Sequence, residues 1–380
     1  MSWIDCELGD IVTLKRGHDL PKDRRNEGQV PVVSSSGITG WHNEVKAEPP
    51  GVVTGRYGTI GEVFYLDRPY WPLNTALYAI DFHENDPRFV AYFLRSQLKN
   101  YKSEKAAVPG VNRNVLHKIK VRCPDPQAQS KIVSVLSAYD DLIENNLRRI
   151  ALLEQAARLL YREWFVHFRF PGHETAKFVD GLPGGWEERT FDEVCQTIGG
   201  GTPSTKVASY WDDGDVPWIT PTDITRNDCL VLLDGEKKIT REGLIKSSAK
   251  MVPPHTILMT SRASVGFFGL AEKEVCTNQG FINIIPNVEA MRYYLLFNLL
   301  HRVEEVRSHA GGSTYAEISK SKFRALSVVQ PDADALDAFD TKVRPILDQV
   351  RSLKKNTQQL TNARDLLLPR LMDGRIPVEV

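Results

Sequence analysis

The sequence has few cysteines, no long hydrophobic run and no excess of charge of either sign. The scattered cysteines, Cys6, Cys123, Cys195, Cys229 and Cys276, form no C-x-x-C pair, which argues against a zinc site or a disulfide framework. No apolar stretch approaches the ~18 residues that a membrane helix needs, and no basic and apolar leader begins the chain. Because 48 Lys and Arg residues balance 48 Asp and Glu residues, only local patches could attract nucleic acid. We therefore expect a cytoplasmic protein with no membrane contact.

Motifs typical of catalysis are also missing. The sequence contains no Gly-Lys-Ser or Gly-Lys-Thr of a phosphate-binding loop, and no H-x-x-x-H pair. It also lacks the Asn/Asp-Pro-Pro-aromatic loop with which adenine methyltransferases hold the target base. Asp234, Glu236 and Lys238 could suggest a metal-dependent nuclease, but their alternation is typical of an exposed hairpin. We expect no catalytic residue, no metal site and no cofactor in this chain, with a stand-alone DNA-acting enzyme such as a nuclease as the alternative.

The chain contains an internal duplication, which we infer from matching segments in its two halves. The matched pairs are Trp3 with Trp186, Val30–Ser34 with Val216–Thr220, Pro49–Arg56 with Pro253–Arg262, and Asn74–Ala76 with Asn278–Gly280. Their offsets are 183, 186, 204 and 204 residues, so the second copy carries extra residues before its Pro-Pro. Each copy spans most of half the chain, which indicates duplicated domains.

Each copy ends in a predicted long helix with a coiled-coil seam, in which apolar residues alternate at spacings of four and three. The two seams share an offset of 207, and Pro345 could kink the second helix. Because a helix of this length cannot bury its seam on a small domain, we expect the two to pack antiparallel; the alternative is that each folds onto its own domain. The seam positions are Ile132, Leu136, Ile143, Leu153 and Leu160, and Val343, Ile346, Val350, Leu353, Leu360 and Leu367.

Outside these helices, short apolar runs bounded by Gly and Pro predict strands, and residues 89–98 and 291–306 predict helices. The predicted fold class is α+β, with two mixed α/β domains joined by two long antiparallel coiled-coil helices in a pseudo-two-fold repeat. The predicted boundaries are a first domain over 1–125, a spacer helix over 126–168, a linker over 169–184, a second domain over 185–330, a second spacer helix over 331–371 and a tail over 372–380.

Several loops combine positive charge, hydrogen-bonding side chains and glycine, as DNA-contacting loops do. Arg can grip guanine O6 and N7 or a phosphate, and Asn can read adenine. The loops around Arg56 and Arg262 form one predicted matched pair, and residues 110–114 and 311–315 form another. The candidate DNA-binding residues are Lys15, Arg16, Ser35, Ser36, Trp41, Arg56, Tyr57, Asn112, Arg113, Thr220, Thr222, Arg262, Ser264, Ser313, Thr314 and Tyr315.

Arg56 and Arg262 are predicted to occupy equivalent positions of the two copies. An arginine kept in two domains that read different sequences is more useful as an anchor, so we favour phosphate contacts for both. Base discrimination would then fall to the neighbours that differ, Tyr57 against Ala263 and Thr59 against Val265. A guanine contact by the arginines is the alternative.

The sequence resembles the DNA-specificity subunit of type I restriction-modification systems along its whole length. The residues that carry the resemblance are 186–204, 216–224, Tyr161-Arg162-Glu163-Trp164-Phe165 and 367–376. One departure lies at Pro126-Gln127-Ala128-Gln129, where this family usually shows Pro-x-x-Glu-Gln before the helix.

The resemblance implies two target-recognition domains that read the two parts of an asymmetric double-stranded DNA sequence, and helices that space them and dock two modification subunits. Those adenine methyltransferase subunits would bring S-adenosylmethionine. The resemblance leaves open whether a restriction subunit, which would use ATP and Mg²⁺, also joins the complex. The specificity chain itself would not be an enzyme. A coiled-coil scaffold without DNA affinity is a further alternative.

Overall fold

The computed structural model describes residues 2–57, 59, 61–98, 110–312 and 315–378. The chain divides into two compact units, Met1–Ile143 with Gln359–Val380 (unit 1) and Glu144–Gln358 (unit 2). This division falls within each long helix, because the two ends of each helix pack on different cores. The boundaries of the recognition domains at 1–125 and 185–330 therefore remain predictions.

Helices of very different length alternate with the strands. They are α1 (Leu8–Ile11), α2 (Pro87–Leu98), α3 (Arg113–His117), α4 (Pro126–Tyr161), α5 (Phe191–Val194), α6 (Pro221–Thr225), α7 (Arg241–Ile245), α8 (Met291–His301), α9 (Val303–Ser308), α10 (Lys320–Arg324) and α11 (Ala333–Met372). The single helix predicted over 291–306 is thus two helices, which are separated at Arg302. Within the described part of the chain, no helix is both long and apolar enough to cross a membrane.

The strands are short, as the Gly and Pro punctuation predicts. They are β1 (Trp3–Glu7), β2 (Thr13–Arg16), β3 (Val30–Ser34), β4 (Gly37–His42), β5 (Gly51–Gly55), β6 (Val63–Leu66), β7 (Trp71–Pro72), β8 (Ala76–Asp81), β9 (Lys120–Pro124), β10 (Phe178–Val179), β11 (Leu182–Pro183), β12 (Glu187–Thr190), β13 (Cys195–Gly199), β14 (Val216–Ile219), β15 (Val231–Leu232), β16 (Lys237–Ile239), β17 (Met251–Val252), β18 (Ile257–Thr260), β19 (Phe268–Ala271), β20 (Val275–Thr277), β21 (Phe281–Pro286) and β22 (Ser327–Gln330).

The two units share one sheet topology, which confirms the predicted duplication and mixed α/β fold. Unit 1 contains a β1-β9 ladder, a sheet of order β2-β8-β5-β6 and a sheet of order β4-β3-β7. Unit 2 repeats these as β12-β22, β13-β21-β18-β19 and β16-β14-β20, and the last two sheets each gain one edge strand, β15 and β17. The parallel pairing of β3 with β7 recurs as that of β14 with β20, whereas the neighbouring pairs of these sheets are antiparallel.

The two long helices begin at equivalent aspartates. Asp125 accepts a hydrogen bond from the Ala128 N–H at 2.9 Å, and Asp332 accepts one from the Ala335 N–H at 2.8 Å. A carboxylate at this position satisfies a backbone donor that has no partner within the helix and complements the helix dipole. Hydrogen bonds from the Ser2 and Ala128 N–H groups lower the pKa of Asp125 to about 2.

The predicted contact between α4 and α11 is present within each unit. In unit 1, Arg364 Nη1 donates to Asp140 Oδ1 at 2.5 Å. In unit 2, Asn146 Nδ2 donates to Asn356 Oδ1 at 2.9 Å, and the rings of Trp164 and Phe339 lie 5.8 Å apart. Residue numbers rise along one helix as they fall along the other, so the helices are antiparallel as predicted.

The seam itself is more irregular than the predicted heptads. Ile132, Leu136, Val343, Val350 and Leu353 are buried as expected. Six further seam positions are only half-buried: Ile143, Leu153, Leu160, Ile346, Leu360 and Leu367. The neighbouring Leu347 and Leu368 are buried instead, with 0% and 5% exposure. An α-helix of 3.6 residues per turn drifts from a 3.5-residue repeat, which moves the buried stripe by one position.

The expected kink at Pro345 does not interrupt α11, which continues from Ala333 to Met372. The first helix is shorter than its predicted range, because the α-helical hydrogen bonding ends at Tyr161 and one wide π-helical turn follows over Arg162–Val166. Phe168 then adopts a left-handed backbone, with φ of 54°, so the chain leaves the helix axis there.

Replacing Leu347 by Ala tests the corrected seam. The side chain is fully buried in the core of unit 2, so we expect the free energy of unfolding to fall by about 2–5 kcal/mol in urea titrations. Leu152→Ala is the matched control, because Leu152 lies on α4 in the same unit with 56% exposure and should lose far less. Equal losses in the two variants would contradict this packing.

Glu154 is a buried carboxyl on α4, with 9% exposure. Its Oε1 accepts a hydrogen bond from the Leu230 N–H at 2.5 Å. Burial raises the pKa of Glu154, and this effect outweighs the opposing hydrogen bond from Leu230 and the charge of Arg158. Folding therefore favours the protonated form, so this carboxyl removes stability as the pH rises through its raised pKa.

Glu154→Gln keeps an oxygen that can accept the Leu230 N–H and removes the charge. We expect the variant to be more stable than the wild type at pH 7, with a difference that shrinks toward pH ~4, where glutamate is protonated in the unfolded chain too. Denaturant unfolding across this range measures the difference. Glu144→Gln, at an exposed position of the same helix, is the control. A pH-independent difference would show that the charge of Glu154 is not responsible.

Candidate nucleic-acid interface

In unit 1 the loop after β5 is joined to the loop before α3. The Arg56 N–H donates to Thr75 O at 2.9 Å, and the Val111 N–H donates to Arg56 O at 2.8 Å. Tyr57 and Gly110 form an antiparallel bridge. The structure therefore brings together two segments that the sequence marked separately as DNA-contacting, and we call 55–57 with 110–113 the first paired loops.

Three side chains of the first paired loops are exposed, Tyr57, Asn112 and Arg113, whereas Arg56 is half-buried. The Arg56 guanidinium carbon lies 4.6 Å from the centre of the Tyr57 ring, and Tyr57 is 41% exposed. Arg113 is exposed at the first position of α3. Asn112 uses its side-chain oxygen to accept the Asn114 N–H at 2.9 Å, so it caps that helix. The caps and the ring contact hold this surface in place without covering its cations.

Ser35 and Ser36 lie in the turn between β3 and β4, close to the same loops. A Cβ at Gly55 would come 2.0 Å from Thr59 O and 3.3 Å from Ser35 Cβ, so only glycine fits this close approach. The Ser34 hydroxyl is used internally, since it accepts the Ser36 N–H at 3.1 Å. Ser36 itself is exposed.

Lys15 and Arg16 are exposed at the end of β2, and Arg16 lies 3.4 Å from Asp19. The Asn74 side chain donates a hydrogen bond to the same aspartate. The next residue, Thr75, accepts the Arg56 N–H with its carbonyl oxygen. These two cations are therefore neighbours of the first paired loops. Trp41 is 49% exposed near the far end of β4 from Ser36, so it is displaced along the strand from the serine turn.

Unit 2 contains the same joint between loops. The Ser261 N–H donates to Gly280 O at 2.8 Å, and the Ile318 N–H donates to Ser261 O at 3.0 Å. Arg262 and Glu317 form the antiparallel bridge, with Arg262 Nε 3.7 Å from Glu317 Oε2. We call 260–264 with 315–320 the second paired loops. Ser264 and Tyr315 are exposed, whereas Ser313 and Thr314 lie outside the described residues.

The predicted equivalence of Arg56 and Arg262 is wrong by one position. The hydrogen bonds match Arg56 with Ser261 and Tyr57 with Arg262, at an offset of 205. The second copy carries one additional residue after its Pro-Pro, where His255 takes a left-handed backbone with φ of 64°. Arg56 and Arg262 therefore occupy different positions of the two copies, and equivalence gives no reason to assign both to phosphates.

The second predicted pair is also misaligned. Gly110 corresponds to Glu317, and the helix cap Asn112 corresponds to Ser319, which accepts the Lys322 N–H at 3.3 Å. Arg113 therefore corresponds to Lys320, and the segment 311–315 is not its counterpart. Glu317 and Lys320 were missed as site residues, although the offset of 207 that relates the long helices already holds here and could have identified them.

The Thr220 side chain is used in a hydrogen bond within the fold. Its hydroxyl donates to Asp223 Oδ2 at 2.6 Å in a capping box at the start of α6. Thr222 is exposed one turn further on. Pro221 packs close to Gly280, whose carbonyl holds Ser261, so the start of α6 lies beside the second paired loops.

Asp234 and Lys238, two of the three residues that could suggest a nuclease, take part in surface ion pairs. Lys273 Nζ donates to Asp234 Oδ2 at 2.8 Å, and Lys238 Nζ lies 4.0 Å from the same oxygen. In the part of the chain that the structure describes, no three His, Cys, Asp or Glu side chains are grouped as a metal ion requires.

Comparisons with known proteins agree with this architecture. The family model of the type I restriction modification DNA specificity domain matches residues 2–155 and 183–363. The solved structure of the S subunit of a type I restriction-modification system from M. genitalium aligns over 100% of this chain and 97% of its own, with a TM-score of 0.61 and 16% identity. That likeness shows a shared fold.

Two curated relatives carry the same description. The chain is 32% identical over 199 residues to the MjaIX specificity subunit of Methanocaldococcus jannaschii, which covers 52% of this chain and 46% of that one. It is 25% identical over 338 residues to the HindI specificity subunit of Haemophilus influenzae, which covers 72% of each. The match spans about half the length of the first relative and nearly three quarters of the second. The two matches of the family model, one in each copy of the duplication, show that this chain belongs to the type I restriction-modification DNA specificity family.

Proposed function

We propose that this chain is the subunit that selects the DNA sequence in a type I restriction-modification complex, and that each of its two copies reads one part of a bipartite, asymmetric target. One observation carries the proposal. The same backbone hydrogen bonding between two loops occurs twice in the chain. At the bridged position, unit 1 carries Tyr57 and unit 2 carries Arg262. A duplicated scaffold with different exposed side chains is suited to reading two different sequences.

The chemistry of the paired loops supports contact with duplex DNA. Half-buried Arg56 and exposed Arg113 in unit 1, and exposed Lys320 in unit 2, can neutralise phosphates, which supplies most of the sequence-independent affinity of DNA-binding proteins. Exposed Ser36 and Ser264 can donate to phosphates or base edges. Because the net charge of the chain is zero, attraction to DNA would have to come from local groups of cations such as these.

The chain would act with partners rather than as an enzyme. Two modification subunits would dock on the surface of the long helices and supply adenine methylation with S-adenosylmethionine, and a restriction subunit would add ATP- and Mg²⁺-dependent cleavage where one exists. Family membership favours this role over a stand-alone nuclease or a scaffold without DNA affinity. Selection from a library of random duplexes by the full-length chain tests the proposal: a consensus in two parts with a fixed gap supports it, and unselective binding overturns it.

Arg113→Ala and Lys320→Ala test the phosphate contacts in equivalent positions of the two units. Each variant should weaken binding to every duplex alike and lower the slope of log affinity against log salt by about one. Fluorescence anisotropy over several salt concentrations measures both effects. Arg241→Ala is the control, because its exposed side chain lies on α7 outside the paired loops. Wild-type slopes in both variants would show that these cations do not touch DNA.

Methyl transfer tests the division of labour. The purified chain, incubated with labelled S-adenosylmethionine and its DNA target, should transfer no methyl groups, whereas addition of the adenine methyltransferase subunit should restore transfer. Cleavage or methylation by the homogeneous chain alone, and its loss in Asp234→Ala, would instead support an enzyme.

A further inference from the structure

In each unit, an antiparallel bridge within the paired loops places two residues next to each other at one defined point. In unit 2 these are Arg262 and Glu317, and in unit 1 the equivalent positions hold Tyr57 and Gly110. The surrounding backbone is the same, since both loops receive one hydrogen bond from the residue after the bridge, Val111 in unit 1 and Ile318 in unit 2. The backbone of the bridge is therefore retained while its side chains change.

The Arg262–Glu317 pair contributes little to stability. The two side chains are each 48% exposed, and Arg262 Nε lies 3.7 Å from Glu317 Oε2, which is longer than a hydrogen bond. Exposed ion pairs of this kind are worth roughly 0–1 kcal/mol. The pair thus presents a guanidinium and a carboxylate side by side, and neither has to leave a strong partner before it binds another group.

The backbone under this pair is held rigidly. Glu317 both donates to and accepts from Gly311, at 2.9 Å in each direction, and the Ala263 N–H donates to Ala316 O at 2.9 Å. A backbone that is already ordered loses less entropy when the loop binds. The backbone therefore holds Arg262 and Glu317 next to each other at one defined point.

The surroundings compensate for the negative charge that Glu317 would bring toward DNA. The Lys322 ammonium lies close by, within 3.4 Å of His309 O, and Lys320 is exposed on the same short helix. A carboxylate among these cations can approach a base edge without a net repulsion from the phosphates.

The order of donors and acceptors points to one kind of base pair. In the major groove, guanine presents two acceptors, O6 and N7, which arginine contacts with two parallel donors, and the paired cytosine presents the N4 amino donor, which a carboxylate accepts. We infer that Arg262 and Glu317 together read a single G·C base pair in the part of the target bound by unit 2, and that Tyr57 and Gly110 make the equivalent position of unit 1 read differently. This inference rests on the proposed DNA-reading function.

The test compares the sequences that full-length variants select from a library of random duplexes. The wild-type chain should require G·C at one position of one half-site. In Arg262→Gln the preference at that position should change from G to A, because glutamine contacts adenine in two places. In Glu317→Ala, which removes the acceptor for the cytosine N4 amino group, binding to the G·C duplex should weaken roughly tenfold or more while the other half-site is unchanged.

Two controls separate base reading from other roles. Arg241→Ala, outside the paired loops, should select the wild-type consensus, and Tyr57→Phe should leave the half-site of unit 2 unchanged. If Arg262→Gln keeps the wild-type consensus, whether its affinity falls equally for all sequences or stays unchanged, Arg262 is a phosphate anchor or a surface ion-pair residue and the inference is wrong. A wild-type chain that selects no sequence would overturn the proposed function itself.

Discussion

The packing of α4 and α11 is the interaction on which the rest of each unit depends. A helix of 36 or 40 residues with a continuous apolar stripe cannot remain exposed, and its stripe is too long for one small domain to cover. In unit 1 the stripe joins Ile132 and Leu136 to Leu371 in one core, and in unit 2 it joins Ile150 to Val350 in another. Every sheet in the two units is folded around one of these helical cores or attached to a sheet that is.

Polar residues within the seam fix how the helices meet. Asn146 pairs with Asn356, and Arg364 pairs with Asp140, which also accepts the Tyr92 hydroxyl at 2.5 Å. An apolar stripe alone tolerates sliding by a heptad, whereas a buried amide or charge left without its partner costs free energy. These pairs therefore specify one antiparallel register, at some cost in stability relative to an all-apolar seam.

The sequence predicted the features that repeat over many residues and failed where a single residue decides. The seam, its antiparallel packing and the duplication each rest on many positions, so an error at one does not matter. Matching Arg56 to Ser261 depends on the one additional residue at His255, which no periodic pattern reveals. Leu347 rather than Ile346 is buried because the stripe drifts by a fraction of a turn, and Thr220 caps α6 through Asp223, a local hydrogen bond that loop composition does not predict.

The corrected alignment changes what an exposed arginine means in this family member. Had Arg56 and Arg262 been equivalent, their retention would have pointed to a shared contact with the DNA backbone. Because Arg262 instead corresponds to Tyr57, the shared elements are backbone hydrogen bonds and helix caps, such as Asn112 and Ser319, and the differing elements are side chains at a fixed bridge. Duplication followed by change at such points lets one chain acquire a second sequence preference without altering the strands and helices that hold the loops.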